Sequence, residues 1–134
     1  MTTDAELTSR TIHEVWAHHN QALAAKDIDE FIRDFSADCV FINNPQGGHA
    51  SGTFIGPDGV RAWCHDFFAL FGPVTDFSTQ GGYIEEDAQG GGVVMISWTI
   101  SNDRYRIGCG VDTFIVQDGQ FHIVTVVYDV QPAS

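Results

Sequence analysis

The chain has 134 residues, a size typical of one domain, and 43% of its residues are hydrophobic, so it can bury a core. It has 6 Lys and Arg against 18 Asp and Glu, which gives a formal net charge of −12 and a pI near 4.5. Binding to nucleic acid or to an anionic membrane depends on clustered basic side chains, so this charge argues against both kinds of partner.

The three cysteines predict buried free thiols rather than a disulfide. Cys39, Cys64 and Cys109 are odd in number, lie far apart and occur in apolar stretches. The first residues, from Met1 to Glu6, have neither the basic nor the apolar region of a signal peptide. No apolar run approaches the ~18 residues that a membrane span needs. We therefore expect a protein of the reducing cytoplasm.

Helical spacing dominates the first half of the chain. Apolar residues recur every three or four positions, and Asp27 precedes Glu30 by three, a capping-box-like helix start. Further on, Pro57-Asp58-Gly59 begins a helix and Gly72-Pro73 ends it. The elements predicted from these features are a helix over about Leu7–Ala25, a short helix after Asp27, a strand over Cys39–Asn43, a loop over Gln46–Gly52 and a helix from Pro57 to Phe71.

After the last helix the apolar period changes from helical to two, which is typical of strands. The predicted strands are Val74–Ser78, Gly82–Glu85, Val93–Ile100, Arg104–Val116 and Gln120–Val130. Helices that precede strands, rather than alternate with them, indicate a single α+β domain over residues 1–134. Strands this long must curl around the helices, and Gly108 and Gly110 are natural bending points.

The order of these elements and several local motifs resemble the nuclear-transport-factor-2-like superfamily, and within it the SnoaL-like and ketosteroid-isomerase-like proteins. The motifs are Lys26-Asp27-Ile28-Asp29, Phe35-Ser36-Ala37-Asp38-Cys39-Val40-Phe41, Gly56-Pro57-Asp58-Gly59-Val60, Gly110-Val111-Asp112-Thr113-Phe114 and Asp118-Gly119-Gln120-Phe121. The resemblance covers about residues 7–130. It implies a cone-shaped, curved antiparallel sheet wrapped around N-terminal helices (a SnoaL-like α+β barrel), an apolar pocket for a small molecule, and a homodimer formed through the sheet.

Asp112 is the residue that the sequence singles out for chemistry. It lies in a strand near apolar Val111 and Phe114, and Gly108 and Gly110 leave its strand face open to a ligand. Apolar surroundings disfavour the charged carboxylate, and a protonated carboxyl group can donate a hydrogen bond to a carbonyl or enolate oxygen. The resemblance places Asp112 at the oxyanion-hole aspartate of the ketosteroid isomerases. The alternative is an architectural aspartate that bonds to nearby hydroxyls or amides.

The hairpin after this strand decides which residues share the face of Asp112. With a three-residue loop over Gln117–Gly119, Asp112 lies opposite Val124, whereas a two-residue turn places it opposite Thr125. The first register is favoured because it matches the layout of the resembling family. The residues that it places on the face of Asp112 are His122, Val126 and Tyr128.

Two further residues complete the predicted proton chemistry. The family's general base lies at the end of the first strand, where this chain has Asn43-Asn44-Pro45, and an amide cannot accept the proton. We expect Asn43 to orient a carbonyl group and Asn44 to bind substrate. His19 is predicted to move the proton, because it lies on the apolar stripe of the first helix and histidine titrates near neutral pH. The alternative for His19 is a core histidine bonded to a backbone carbonyl.

The remaining predicted site residues are pocket walls for a flat hydrophobic molecule, although aromatic residues at helical spacing are usually core. They are Trp16, Phe41, Trp63, Phe67, Trp98, Phe114, Val126 and Tyr128. The sequence contains no His-Glu-x-x-His or Cys-x-x-Cys motif, so we expect neither a metal nor a cofactor.

The predicted function is a cofactor-independent isomerase, cyclase or lyase that acts on an apolar carbonyl compound by acid–base chemistry. In this interpretation Asp112 polarises the carbonyl group, Asn43 orients it and His19 moves the proton. The alternative is a non-catalytic ligand-binding or dimerisation module of the same fold, which the missing general base supports.

Overall fold

The computed structural model describes residues 4–46, 51–72 and 76–133, and these contain four helices and seven strands. In chain order the elements are α1 (Asp4–Thr8), α2 (Ile12–Ala25), α3 (Ile28–Ile32), β1 (Phe35–Gln46), β2 (Gly52–Ile55), α4 (Gly56–Phe71), β3 (Asp76–Glu86), β4 (Gly92–Ser101), β5 (Tyr105–Gln117), β6 (Gln120–Asp129) and β7 (Gln131–Pro132). No helix within these residues is long and apolar enough to cross a membrane.

The strands form one curved, unclosed sheet in the order β2-β1-β6-β5-β4-β3, with β7 beside β5. The predicted α+β class, a curved sheet around N-terminal helices, is confirmed. One strand pair differs from the antiparallel prediction, because β1 runs parallel to β6. The remaining pairs are antiparallel.

The core lies between the helices and one face of the sheet. Residues spaced three or four apart bury one side of each long helix against the inward residues of the strands. The buried positions on α2 are Ile12, Val15, His19 and Ala22, and those on α4 include Val60, Cys64, Phe67 and Phe71. The inward strand residues that they meet in the core include Phe41, Val94, Trp98, Phe114 and Val124.

The boundaries of the first helix and of β3 are among those that differ from the sequence prediction. The first helix is divided, because the Thr11 side chain accepts the backbone N–H of Glu14 and Glu14 in turn accepts the N–H of Thr11, a capping box that starts α2. Residues 76–78 and Gly82–Glu85, which were predicted in two strands, belong to the single strand β3, with a bulge between Thr79 and Gly81. Residues 74 and 75 of the first predicted strand lie outside the described residues, as do residues 47–50 of the predicted loop.

The β5–β6 hairpin has a two-residue turn, so the favoured three-residue loop is wrong. Asp118 and Gly119 both have positive φ, 49° and 70°, as a type I′ turn requires. A bulge at His122 then shifts the pairing by one more residue, and Asp112 lies opposite Val126 rather than Val124 or Thr125. The turn and the bulge together keep Asp112 on the inward face that was predicted.

A further bulge lies in β5 between Ile107 and Gly110, at the predicted bending points Gly108 and Gly110. The backbone N–H of Cys109 leaves the strand ladder there and donates to the Asp129 carboxylate at 3.0 Å. Cys109 is therefore exposed, and its predicted burial is wrong. Cys39 and Cys64 are buried, and all three thiols are free.

A buried ion cluster ties the N-terminal helices to the β5–β6 hairpin. Asp34 is fully buried and accepts hydrogen bonds from Arg10 Nη1 at 2.9 Å and from His18 Nδ1 at 2.8 Å. Arg10 also donates to the backbone oxygen of Gly119 at 2.8 Å, and His18 Nε2 lies 2.8 Å from the Glu30 carboxylate. Desolvation lowers the pKa of His18, but the two carboxylates outweigh it and the net pKa is raised. The cluster thus joins α2, α3 and the connection that follows each of α1 and α3 to the turn of the β5–β6 hairpin.

Candidate functional site

The inward face of the sheet and the helices enclose a cavity of about 830 Å³. This volume lies in the range of small-molecule sites. Most of its walls are aromatic or aliphatic, and its aromatic residues are Trp16, Phe31, Phe35, Phe41, Trp63, Phe67, Phe68, Phe77, Tyr83, Trp98 and Phe114. The walls therefore favour a ligand with a large apolar surface.

The cavity opens between the end of α2 and strand β3. On one side, the exposed residues Asn20, Ala24 and Lys26 at the end of α2 line the opening. On the other side, it is lined by Phe77 and Tyr83 of β3, which are 48% and 56% exposed. Sequence reasoning did not identify this rim. The position of Phe77 follows from the strand pairing, because Thr79, two residues further along β3, pairs with the predicted wall residue Trp98 of β4. Tyr83 does not follow from it, because it pairs with Met95.

Asp112 is the acidic residue of the cavity wall. It lies on β5 between Ile96 of β4 and Val126 of β6, and both of these neighbours also line the cavity. Its Oδ1 accepts a hydrogen bond from the indole Nε1–H of Trp98 at 2.8 Å. No other hydrogen bond to the Asp112 carboxyl group involves a described residue.

Desolvation controls the protonation of this carboxyl group. Burial among apolar walls raises the pKa of Asp112 to about 7, although the Trp98 hydrogen bond acts in the opposite direction. The acid and the carboxylate are therefore both present near neutral pH. A general acid or base is most effective when its pKa lies near the working pH, so Asp112 is suited to proton transfer.

His19 lines the same cavity but has a different environment. The side chain is buried among aromatic rings, with ring centres 4.9 Å from Phe31, 5.1 Å from Trp16 and 5.3 Å from Phe114. Its Nδ1 is buried and has no hydrogen-bond partner among the described residues, so the alternative of a carbonyl-bonded core histidine is not seen at this atom. Burial lowers the pKa of His19 to about 3. The ring is thus neutral near pH 7 and a weak base.

Asn43 and Tyr128 are buried but lie behind the cavity wall rather than in it. The Tyr128 ring centre is 5.8 Å from that of Trp98. Burial raises the pKa of Tyr128, and a hydrogen bond from the Asn43 side chain lowers it. Asn44 is exposed on the opposite face of β1, because neighbouring strand residues alternate between faces, and its side chain accepts a hydrogen bond from Gln46. Asn44 therefore does not face the cavity.

The structure brings most of the predicted wall residues together. Those that line the cavity are Trp16, Phe41, Trp63, Phe67, Trp98, Phe114 and Val126. Gly110 does not leave the open space that was predicted, because the Trp98 indole covers it. Among residues 4–46, 51–72 and 76–133, no three His, Cys, Asp or Glu side chains are grouped as metal ligands would be.

The desolvated carboxyl group of Asp112 should reduce the stability of the protein above neutral pH. Because the folded-state pKa of Asp112 is raised, the folded protein binds more protons than the unfolded chain between about pH 3.8 and 7, and its stability falls as pH rises through that range. We expect Asp112→Asn to increase the free energy of unfolding at about pH 8 by roughly a few kcal/mol and by much less at about pH 4. Urea denaturation measures both values. The exposed Asp103→Asn is the control, and an Asp112→Asn protein that is less stable than the parent at about pH 8 would contradict the expectation.

Comparisons with known proteins agree with this architecture. The sequence profile of the SnoaL-like domain matches residues 16–124. No curated protein matches the sequence significantly.

Several solved structures share the fold at low sequence identity. A steroid delta-isomerase from Pseudomonas aeruginosa is 18% identical, with a TM-score of 0.63 over 91% of this chain and 80% of that one. An NTF-2-like protein of unknown function from Burkholderia xenovorans is 19% identical, with a TM-score of 0.63 over 88% and 82%. An uncharacterised protein with a cystatin-like fold from Silicibacter pomeroyi is 16% identical, with a TM-score of 0.67 over 92% and 77%. At these identities the similarity shows the fold alone.

Proposed function

The chain belongs to the SnoaL-like domain family, and we propose that it binds an apolar carbonyl compound and acts on it as an isomerase, cyclase or lyase by acid–base chemistry. The observation that carries this proposal is a carboxyl group with a pKa of about 7 in the wall of an 830 Å³ cavity that is mostly apolar. A structure of the same fold is named as a steroid delta-isomerase, which supports proton transfer next to a carbonyl group as the reaction class.

In the proposed mechanism Asp112 carries the proton. In its acid form it donates a hydrogen bond to the substrate carbonyl oxygen, and this bond strengthens as the oxygen gains negative charge. In its carboxylate form it accepts a proton from the carbon next to a carbonyl group, which leaves the electron pair of the broken C–H bond in an enolate. The resulting acid then returns the proton to another carbon of the enolate, so the carboxylate is regenerated. The reaction then needs no second ionisable residue.

The other two predicted catalytic residues have supporting roles in this proposal. His19 stays neutral, because burial lowers its pKa to about 3, and it forms part of the aromatic wall. Asn43 acts from behind the wall, through its hydrogen bond to Tyr128, whose ring packs against Trp98. Substrate orientation thus depends on the shape of the cavity and on one carboxyl group.

Hydrogen–deuterium exchange at carbon tests the proposed proton transfer without knowledge of the natural substrate. The protein is incubated in deuterated water with a panel of cyclic enones and polyketide fragments, and mass spectrometry measures deuterium at carbon. We expect catalysed exchange that falls by about 100-fold or more in Asp112→Asn, because general acid–base catalysis contributes factors of that size. The exposed Asp103→Asn should keep the parent rate. Exchange at the parent rate in Asp112→Asn would contradict the proposal that Asp112 transfers the proton.

A non-catalytic binding module is the second candidate function. The weak basicity of His19 favours it, and so does the presence of one carboxyl group, rather than two, among the described lining residues. The same experiment separates the two candidates. A binding module would take up compounds of the panel, seen as quenching of tryptophan fluorescence, with no exchange above the rate in buffer.

We further propose that two copies of the chain pair through the outer face of the sheet. Across the central strands this face carries two uncharged rows of paired residues, Asn44–Val127–Val111–Ser97 and Ile42–Thr125–Thr113–Met95. Val111, Val127 and Met95 are 36%, 41% and 43% exposed. Exposed apolar patches of this kind mark interaction surfaces. Since each copy has a net charge of −12, an uncharged surface is where two copies meet with the least repulsion.

Sedimentation velocity tests the proposed dimer. Val111→Glu places a charge in the middle of the outer face and should convert a dimer into a monomer, because burying an unpaired carboxylate is costly. Gln89→Glu adds the same charge at an exposed turn and should leave the dimer intact. A parent protein that sediments as a monomer at micromolar concentration would contradict the proposal.

A further inference from the structure

Trp98 and Asp112 are diagonal neighbours on the inward face of the sheet. Trp98 of β4 pairs with Gly110 of β5, and Asp112 lies two residues further along β5, opposite Ile96. The indole reaches across this diagonal, and its Nε1–H donates to Asp112 Oδ1 at 2.8 Å. The Trp98 side chain is 4% exposed, so no solvent competes strongly for that hydrogen bond.

The indole can reach Asp112 because the residue between them has no side chain. A Cβ atom at Gly110 would overlap three carbons of the Trp98 ring system. Tyr128 of β6 pairs with Gly110 from the other side, and its ring packs 5.8 Å from the indole. Gly110 therefore provides the space for the Trp98 ring, and the Tyr128 ring packs against the indole on the β6 side of that space.

We propose that Trp98 is a positioning residue for Asp112: its indole N–H holds Oδ1, and Oδ2 is left as the oxygen that carries the acid proton and meets the ligand. The role of that proton in a reaction rests on the proposed function. A carboxylic acid has one O–H donor, and its carbonyl oxygen is a better hydrogen-bond acceptor than its hydroxyl oxygen. The oxygen that accepts the indole N–H is therefore the carbonyl oxygen, and the proton belongs on the other oxygen. No described residue hydrogen-bonds to Oδ2.

Two tryptophans of the cavity wall form a matched pair for the test. The Trp63 indole lines the same cavity, but its Nε1 has no hydrogen-bond partner among the described residues. In the ligand-free protein, the indole N–H signal of Trp98 in ¹⁵N NMR spectra should titrate with a midpoint of about 7, the pKa of Asp112. This titration should be absent for Trp63, and it should disappear for Trp98 in Asp112→Asn.

Substitution of each tryptophan by phenylalanine removes the N–H and keeps an aromatic ring. Trp98→Phe should raise the pKa of Asp112 by roughly one unit, because a hydrogen bond to the charged form is lost. Trp63→Phe should leave this pKa unchanged. Gly110→Ala, which retains the indole but displaces it, should shift the pKa in the same direction as Trp98→Phe. The ¹³C signal of the Asp112 carboxyl group reports all three values.

An unchanged Asp112 pKa in Trp98→Phe would overturn the proposal, and so would an equal shift in Trp63→Phe, which would assign the effect to lost ring volume. The titrations use no substrate. Their failure is therefore distinguishable from failure of the proposed reaction, which the deuterium exchange measures.

Discussion

The desolvation of one carboxyl group is the constraint on which the proposed site depends. Asp112 lies in a cavity whose walls offer it one hydrogen bond, from the Trp98 indole, and that bond does not replace the hydration that the charged form loses. The group consequently stays protonated to near neutral pH. The same environment that makes it a useful acid reduces the stability of the folded protein, so the site has a cost that an architectural aspartate would not have.

The rest of the fold holds this cavity open. The helices supply one wall, and their position relative to the β5–β6 hairpin depends on Asp34, which bonds to Arg10 and His18 while Arg10 bonds to the backbone of Gly119. The strand that carries Asp112 ends in that hairpin. A buried, fully hydrogen-bonded cluster fixes geometry more strictly than apolar contacts do, because few other arrangements satisfy its charges. It lies outside the cavity and serves the site by anchoring its walls.

The local parts of the fold could be predicted from the sequence, whereas the long-range pairings could not. Apolar periods of 3.6 and two identified the helices and strands, and the apolar neighbours of Asp112 indicated a buried acid. The β5–β6 register depends on a turn and on a bulge. The sequence Asp118-Gly119 is a strong turn signal, but no sequence signal marks the bulge at His122. The Trp98–Gly110 pairing depends on the separate alignment of β4 with β5, and the indole fills the space beside Gly110 that the sequence predicts to be open to a ligand. His19 is chemically suited to proton transfer, and only its complete burial shows why it is a weak base.

Infrared difference spectroscopy of the ligand-free protein tests the central claim most directly. Subtracting the spectrum of Asp112→Asn from that of the parent protein isolates the absorption of one side chain, and the pH dependence of its carboxylic-acid band gives the midpoint. The account predicts that the acid band persists to neutral pH and disappears with a midpoint near 7. A carboxylate band already complete at about pH 5, as for an ordinary aspartate, would contradict it.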